Sequence, residues 1–330
     1  MSISLRNERT RALLIATFMS LAAIIVVLKF TDANISWSMI LQVDGKFLAL
    51  ALVLHVFSWV FYAVRLKRLT SLAGHEISFR LSFKSTLASN FLAALTPSSA
   101  GGEPLRIKIL ADDGMSYGSA TAVAVGERLL DSIFFLATLA IFLTVSGFMT
   151  GFGLEIGAIF FVLLLLFIIF LGELAARPAR ITRLMAWAKA KTGNRPIISS
   201  IEREVWLFRD AGIQLARKTM RHIPAMMALS ALIWMCDFLV PSALLVGMGQ
   251  GPSFLFSITS QIILAIIGIL PLTPGGSGVA ELGMSYLYSM FVPPALLGPL
   301  VALWRIITYF VNIIVGAAFA GDSINGILKK

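Results

Sequence analysis

Residues 267–283 read Ile-Gly-Ile-Leu-Pro-Leu-Thr-Pro-Gly-Gly-Ser-Gly-Val-Ala-Glu-Leu-Gly, and the architecture turns on this stretch. An apolar run ends in Thr273-Pro274, passes through Gly275, Gly276 and Gly278, and reaches Glu281. Proline removes a backbone donor and disfavours helix at the residue before it, while glycine opens turns closed to other residues, so a helix should break here. A weaker copy fills residues 90–106, Asn-Phe-Leu-Ala-Ala-Leu-Thr-Pro-Ser-Ser-Ala-Gly-Gly-Glu-Pro-Leu-Arg, with Pro97, Gly101, Gly102 and Glu103 in matching order. The likeness continues downstream: Arg128 lies 25 residues beyond Glu103, and Arg305 lies 24 beyond Glu281.

The surrounding chain is apolar. Of 330 residues 58% are hydrophobic and 13% charged, against roughly 45–50% and about 25% in soluble domains. With a mean hydropathy of +0.89 this excludes a soluble globular or disordered chain. Cys236 is the one cysteine, so no intrachain disulfide or cysteine metal cluster is expected. The three histidines lack metal-ligand spacing, and neither a metal nor a cofactor is expected. Six apolar runs approach the roughly 20 residues that cross a bilayer: Ala12–Leu28, Phe47–Val64, Ser119–Phe148, Ile156–Gly172, Ile223–Met248 and Ala295–Ala320. The first exceeds the length of a signal-peptide core and is read as a retained anchor.

Broken backbone at membrane depth is tolerated only where protein buries it or a watery cavity meets it. The spacing therefore predicts two re-entrant hairpins, Ser85–Leu110 from the cytoplasm and about Phe254–Val292 from outside. Phe254–Leu270 is nearly long enough to span, which leaves two full crossings open there. Three spans separate the copies, so the second is upside down relative to the first, the mark of an inverted-topology repeat. The predicted fold is an all-α polytopic membrane protein of one domain, 1–330. Its halves cover about 45–171 and 223–320, joined by a cytoplasmic linker at 172–222.

Charge sets the expected orientation. A net charge of +10 could have meant nucleic acid, but 23 of the 27 Lys and Arg fall in clusters that share one side of the predicted spans. The positive-inside rule makes that side cytoplasmic, with both termini inside a prokaryotic plasma membrane, and no nucleic-acid partner is expected. Within the linker, Ile201, Val205, Phe208 and Leu215 recur at helical spacing among Arg203, Arg209, Arg217 and Lys218. That amphipathic helix either touches anionic headgroups or serves as an elbow between the halves.

Ionisable groups at membrane depth are functional hypotheses by default. Helices restarting after the glycine turns would aim N–H groups inward, an anion site built from Gly101, Gly102, Gly275 and Gly276. Arg128 and Arg305 would reinforce it through phosphate contacts, with Asn90 and Tyr309 beside them. Glu127 and Asp131 flank Arg128, so an internally neutralised staple is the plainer alternative. Glu103 and Glu281 either cap the restarted helices or bind a coupling cation or proton. Asp237, mid-span, is expected as the counter-ion of an arginine. The chain carries no P-loop, nucleophile elbow or His-Glu-x-x-His motif.

Taken together, Asn90, Pro97, Gly102-Glu103 and Arg106, then Glu127-Arg128-Leu129-Leu130-Asp131, then Pro271 to Gly278 with Glu281, then Trp304-Arg305 and Thr308-Tyr309 form a recognisable pattern. It resembles the lysylphosphatidylglycerol synthase transmembrane-region family, also called flippase-like or uncharacterised protein family 0104, across essentially the whole chain. The resemblance implies an integral membrane domain that moves phospholipid between leaflets. Larger members add a soluble aminoacyltransferase, not expected here because the sequence ends ten residues after its last apolar run. The leading expectation is a translocase for an anionic or aminoacylated phospholipid or a polyprenyl-phosphate-linked lipid. A membrane-embedded lipid-modifying transferase, or a non-catalytic scaffold docking a lipid-synthesis enzyme, are the alternatives.

Overall fold

The computed structural model describes residues 42–96, 101–148, 150–192, 196–269 and 276–328. The expected span at Ala12–Leu28, the two chain termini, Pro97, Pro274 and Gly275 lie outside the described residues.

Every regular element among the described residues is helical. Helix α1 (Gly45–Leu72) starts where the Asp44 side chain accepts from the Lys46 amide. A Gly74 turn leads to α2 (Phe79–Leu95), capped by Ser78, which packs against α3 (Gly102–Asp112) as the first hairpin. Ser116 caps α4 (Tyr117–Ser146), which ends at the left-handed Gly147. Helix α5 (Thr150–Ala176) follows, then α6 (Pro178–Thr192) and α7 (Pro196–Arg221). Helices α8 (Ile223–Phe238) and α9 (Val240–Gly247) form one nearly continuous rod. The second hairpin is α10 (Phe254–Gly268) and α11 (Val279–Tyr288). The last rod is α12 (Pro294–Arg305), a π-helical turn at Ile306–Phe310, and α13 (Val311–Leu328).

Five of these rods are long and apolar enough to cross a membrane: α1, α4, α5, α8–α9 and Pro294–Phe319. They coincide with the five expected runs that fall among the described residues, and the chain is an all-α polytopic membrane protein. Helix α10 has 15 residues, short of the roughly 20 a crossing needs, and folds back on α11. The segment thus takes the hairpin form rather than two crossings. The first hairpin is longer than Ser85–Leu110, because Ser78 caps its opening helix about two turns further upstream.

Packing follows the distribution of small residues. A Cβ at Gly153 would fall 2.6 Å from Leu143 Cδ2 and one at Gly157 would fall 3.0 Å from Leu139 Cδ2, so the glycine face of α5 seats two leucines of α4. The remainder of α5 is turned outward; Leu154, Ile159, Phe161 and Phe170 are all more than half exposed, as suits lipid. Backbones also meet where α4 crosses α7. A Cβ at Gly118 would lie 2.1 Å from the Glu204 carbonyl oxygen, and the Gly118 amide donates to the Glu204 carboxylate at 2.8 Å. Arg209 of α7 donates twice to the Ala175 carbonyl at the end of α5, at 3.1 and 2.6 Å. The 172–222 segment thus braces the ends of α4 and α5, with α5 extending into it as far as Ala176.

Two large apolar cores result, beside a small cluster of Ala88, Leu105 and Ile109 between α2 and α3. One joins α8, α9, α10, α11 and α12 to the far half of α4 around Phe135, Ile262 and Tyr288. The other joins α1, α3, the near half of α4 and α7 around Leu66, Leu110 and Leu215.

Candidate functional site

Polar side chains break the apolar pattern of the spans on one stripe of α1. His55, Ser58, Trp59, Tyr62 and Arg65 recur at i, i+3, i+4, i+7 and i+10, one helical face. Arg65 is fully buried and donates to both Asp131 oxygens at 2.5 and 3.1 Å and to Ser230 Oγ at 2.7 Å. Its Nε also faces Glu127 at 3.7 Å. Glu127 pairs with Arg106 of α3 at 2.6 Å. Glu103 pairs with Arg128 at 2.6 Å and with Arg106 at 3.6 Å. Arg128 reaches Asp131 at 3.7 Å. Trp234 of α8 donates to Asp131 at 2.8 Å and the Tyr62 hydroxyl donates to it at 3.3 Å. Three arginines thus face three carboxylates, in line with the rule that buried charges are paired.

The second half carries its own pair. Arg305 Nε lies 2.8 Å from Glu281 Oε1, its Nη2 donates to Ser277 Oγ at 3.1 Å, and its guanidinium stacks 3.8 Å from the centre of the Tyr309 ring. The two residue spacings that differ by one in the sequence, 103–128 and 281–305, therefore both close into ion pairs. In each, a glutamate in the first turn after the glycine bend meets an arginine on the following span. The π-helical turn begins directly after Arg305, a local widening that often marks functional positions. It carries Tyr309, whose hydroxyl donates to the Ala94 carbonyl of the first hairpin at 3.1 Å. Ser277 from one hairpin and Ala94 from the other are thus held by Arg305 and Tyr309, a single turn of the last rod.

Between the two pairs lies a cavity of about 360 Å³, walled by residues of α1, the hairpin helices α2, α3, α10 and α11, the spans α4 and α8, and the last rod. Asn90, Arg128, Asp237, Arg305 and Tyr309, all singled out in the sequence, line it together with His55, Arg106 and Asn312. Trp59, Tyr62, Trp234 and Trp304 supply aromatic walls. Arg128 keeps 47% of its side chain exposed while Arg305 keeps 5%, so Arg128 is the more reachable of the two cations. Asp237 pairs with His55 Nδ1 at 2.7 Å rather than with an arginine. On its other side His55 Nε2 faces Asn312 Oδ1 at 3.3 Å, and the Asn312 amide nitrogen donates to the Thr308 carbonyl at 2.6 Å. Both ring nitrogens thus look at acceptors, and a neutral imidazole can donate to one only.

The glycine turns sit elsewhere than the cavity wall. The Gly101 amide donates to Thr96 Oγ1 at 2.8 Å, and a Cβ at Gly102 would stand 2.9 Å from the Ser89 carbonyl, so these residues close the hairpin. Gly276 has φ +69 in the second turn, and the Gly278 amide donates to Glu281 at 2.6 Å. Glu103, Glu127, Asp131 and Glu281 act on the cavity through the arginines they hold. Arg65 and Arg106 correct the charge reading: counted with the cytoplasmic clusters, both are interior, and removing them from the 23 leaves 21. The α1 stripe was the signal that would have found Arg65, Tyr62 and His55. No group of three or more His, Cys, Asp or Glu able to hold a metal occurs among the described residues.

Fold and site define a polytopic membrane protein with a charged internal cavity between two helical hairpins. The family model described as "Lysylphosphatidylglycerol synthase TM region" matches residues 12–316, and the chain belongs to that family. A UPF0104 membrane protein of Archaeoglobus fulgidus is 39% identical over 92% of this chain and 94% of its own length. UPF0104 membrane proteins of Pyrococcus horikoshii and Methanocaldococcus jannaschii are 24% and 25% identical over 89% and 95% of this chain, and over 92% and 95% of their own lengths. No solved structure matches the chain.

Proposed function

We propose that this protein moves an amphipathic lipid with a phosphate-bearing headgroup between membrane leaflets. The observation that carries the reading is the convergence of both hairpins on Arg305 and Tyr309 beside a polar cavity set among the spans. The headgroup enters the cavity, its phosphate is met by Arg128 and reinforced by Arg305, and its tails stay in lipid. An arginine suits the task because its planar fork grips phosphate oxygens in pairs. Aromatic walls and the His55–Asp237 pair give an amino-bearing headgroup a second contact, through cation–π attraction and a carboxylate. With three spans between them, the hairpins approach from opposite faces, and each gates access from one leaflet. By the positive-inside rule, the remaining clustered basic residues support a cytoplasmic position for the Leu72 end of α1 and the Ala176 end of α5.

Leaflet exchange in proteoliposomes tests this, with fluorescent anionic, aminoacylated and polyprenyl-phosphate lipids. Exchange above empty vesicles that Arg128→Ala lowers at least tenfold is the expected result. Folded protein that exchanges none of the lipids refutes it. The His55–Asp237 pair favours one second reading, a transferase using that pair as general base on a lipid carrier. Product formed by purified protein from a labelled donor, lost in His55→Asn, would select it.

A further inference from the structure

A second concave site lies on the other side of α4 from the cavity. An apolar groove of about 470 Å³ opens between α4, α5 and α7, walled by Val125, Leu129, Ile133, Ile168, Leu171 and Phe208. Arg128 faces the cavity from the same helix, so α4 separates the two. Gly212 of α7 lines the groove with no atom within 4 Å of where a Cβ would stand. One end runs into a second concavity that holds Arg217, Lys218 and Arg221; Ile213 and Arg217 line both. None of these three cations is ion-paired among the described residues, whereas Arg209 nearby is spent on Ala175 and Asp210. Ala73, which ends α1, and Ser119, in the first turn of α4, line the same concavity, so the basic cluster sits at the level where two spans terminate.

Hydrocarbon length below and three unpaired cations at the membrane boundary make a site with two chemistries. The apolar part repels water and bare backbone polar groups and suits hydrocarbon. Juxtamembrane lysines and arginines select anionic headgroups over zwitterionic ones. We propose that the groove holds one anionic phospholipid of the surrounding bilayer as a resident ligand. An acyl chain lies between α4 and α5 under α7, and the phosphate rests on Arg217, Lys218 and Arg221. There it wedges the brace helix α7 against the two spans whose ends α7 ties. This lipid is not the one moved through the cavity, and the inference stands whether or not the protein transports anything.

The test is native mass spectrometry of the delipidated full chain in detergent, titrated with dioleoyl phosphatidylglycerol and, separately, dioleoyl phosphatidylcholine. Wild-type protein is expected to retain phosphatidylglycerol preferentially. Each of Arg217→Gln, Lys218→Gln and Arg221→Gln should lower that retention about fivefold, the effect of one basic residue near the membrane surface. Gly212→Phe fills the groove and should lower phosphatidylglycerol retention to the phosphatidylcholine level without lowering Tm. Arg217→Gln should lower retention by the same factor in an Asn90→Leu background, because the cavity that Asn90 lines is a separate site. Equal retention of the two lipids by wild-type protein, or undiminished retention in the triple glutamine variant, overturns the proposal. So does an effect of Arg217→Gln that vanishes in the Asn90→Leu background, which would move the lipid to the cavity, or a co-purifying protein in place of lipid that Gly212→Phe displaces.

Discussion

Replacing Arg65 by methionine should destabilise the protein by about 3–5 kcal/mol, the usual consequence of leaving one side of a buried ion pair uncompensated. The geometry says where that comes from. Arg65 is fully buried and makes two charge-assisted bonds to Asp131 and one to Ser230. Without it, Arg106 and Arg128 face Glu103, Glu127 and Asp131, one negative charge too many in a site away from bulk water. Asp131 keeps its bonds from Trp234 and Tyr62, so the loss lies in charge balance more than in an orphaned oxygen. Adding Asp131→Asn restores two cations against two anions, and the asparagine oxygen still accepts from Trp234. The double variant should therefore lose no more than about 2 kcal/mol; with Asp131→Asn alone costing at least ~1 kcal/mol for a lost charged acceptor, the coupling energy in the cycle is at least ~2 kcal/mol. Denaturant unfolding in mixed micelles, followed by tryptophan fluorescence, measures all four species. Additivity within about 0.5 kcal/mol, the behaviour of independent sites, would refute the account.

Gly118→Ala gains about 1 kcal/mol of helix propensity, yet its Cβ would sit 2.1 Å from the Glu204 carbonyl oxygen. A net loss of ~1–3 kcal/mol, the scale of overpacking, should appear as a lowered Tm. Tyr309→Phe removes the bond to the Ala94 carbonyl and should lower stability by about 1 kcal/mol while reducing leaflet exchange. Arg128→Gln also leaves the network one negative charge in excess, but at a side chain 47% exposed, so it should cost less stability than Arg65→Met while abolishing exchange. Gly316→Leu puts its Cβ within 2.6 Å of the Leu87 carbonyl oxygen; protein yield and gel-filtration homogeneity should both fall, because neither backbone can yield.

Where local chemistry was strong, the sequence was readable. Thr-Pro and glycine clusters announce broken helices, and both hairpins appear where those clusters fall. The near-equal spacings from Glu103 to Arg128 and from Glu281 to Arg305 survive as ion pairs, because a repeated motif reuses a repeated geometry. Arg65 and Arg106 were harder to place. An arginine near a span end satisfies the same pattern whether it faces water or turns inward, and only tertiary packing against Glu127 and Asp131 decides. Asp237 failed for a related reason: its partner His55 is 182 residues away, and no local spacing records that contact. The glycine turns carried two meanings at once, since an open amide and an amide spent on Thr96 or Glu281 read alike in a sequence.

Ser277 and Ala94 belong to different hairpins yet are fastened to Arg305 and Tyr309, four residues apart on one rod. A rigid crossbar of that kind forbids either hairpin tip from withdrawing without a strain at the other's anchor. The widened turn that begins after Arg305 is where the rod's own hydrogen-bond ladder is weakest, so it is the natural pivot. Opening toward one face would then be felt as tightening toward the other, an interlock built from two hydrogen bonds and an ion pair.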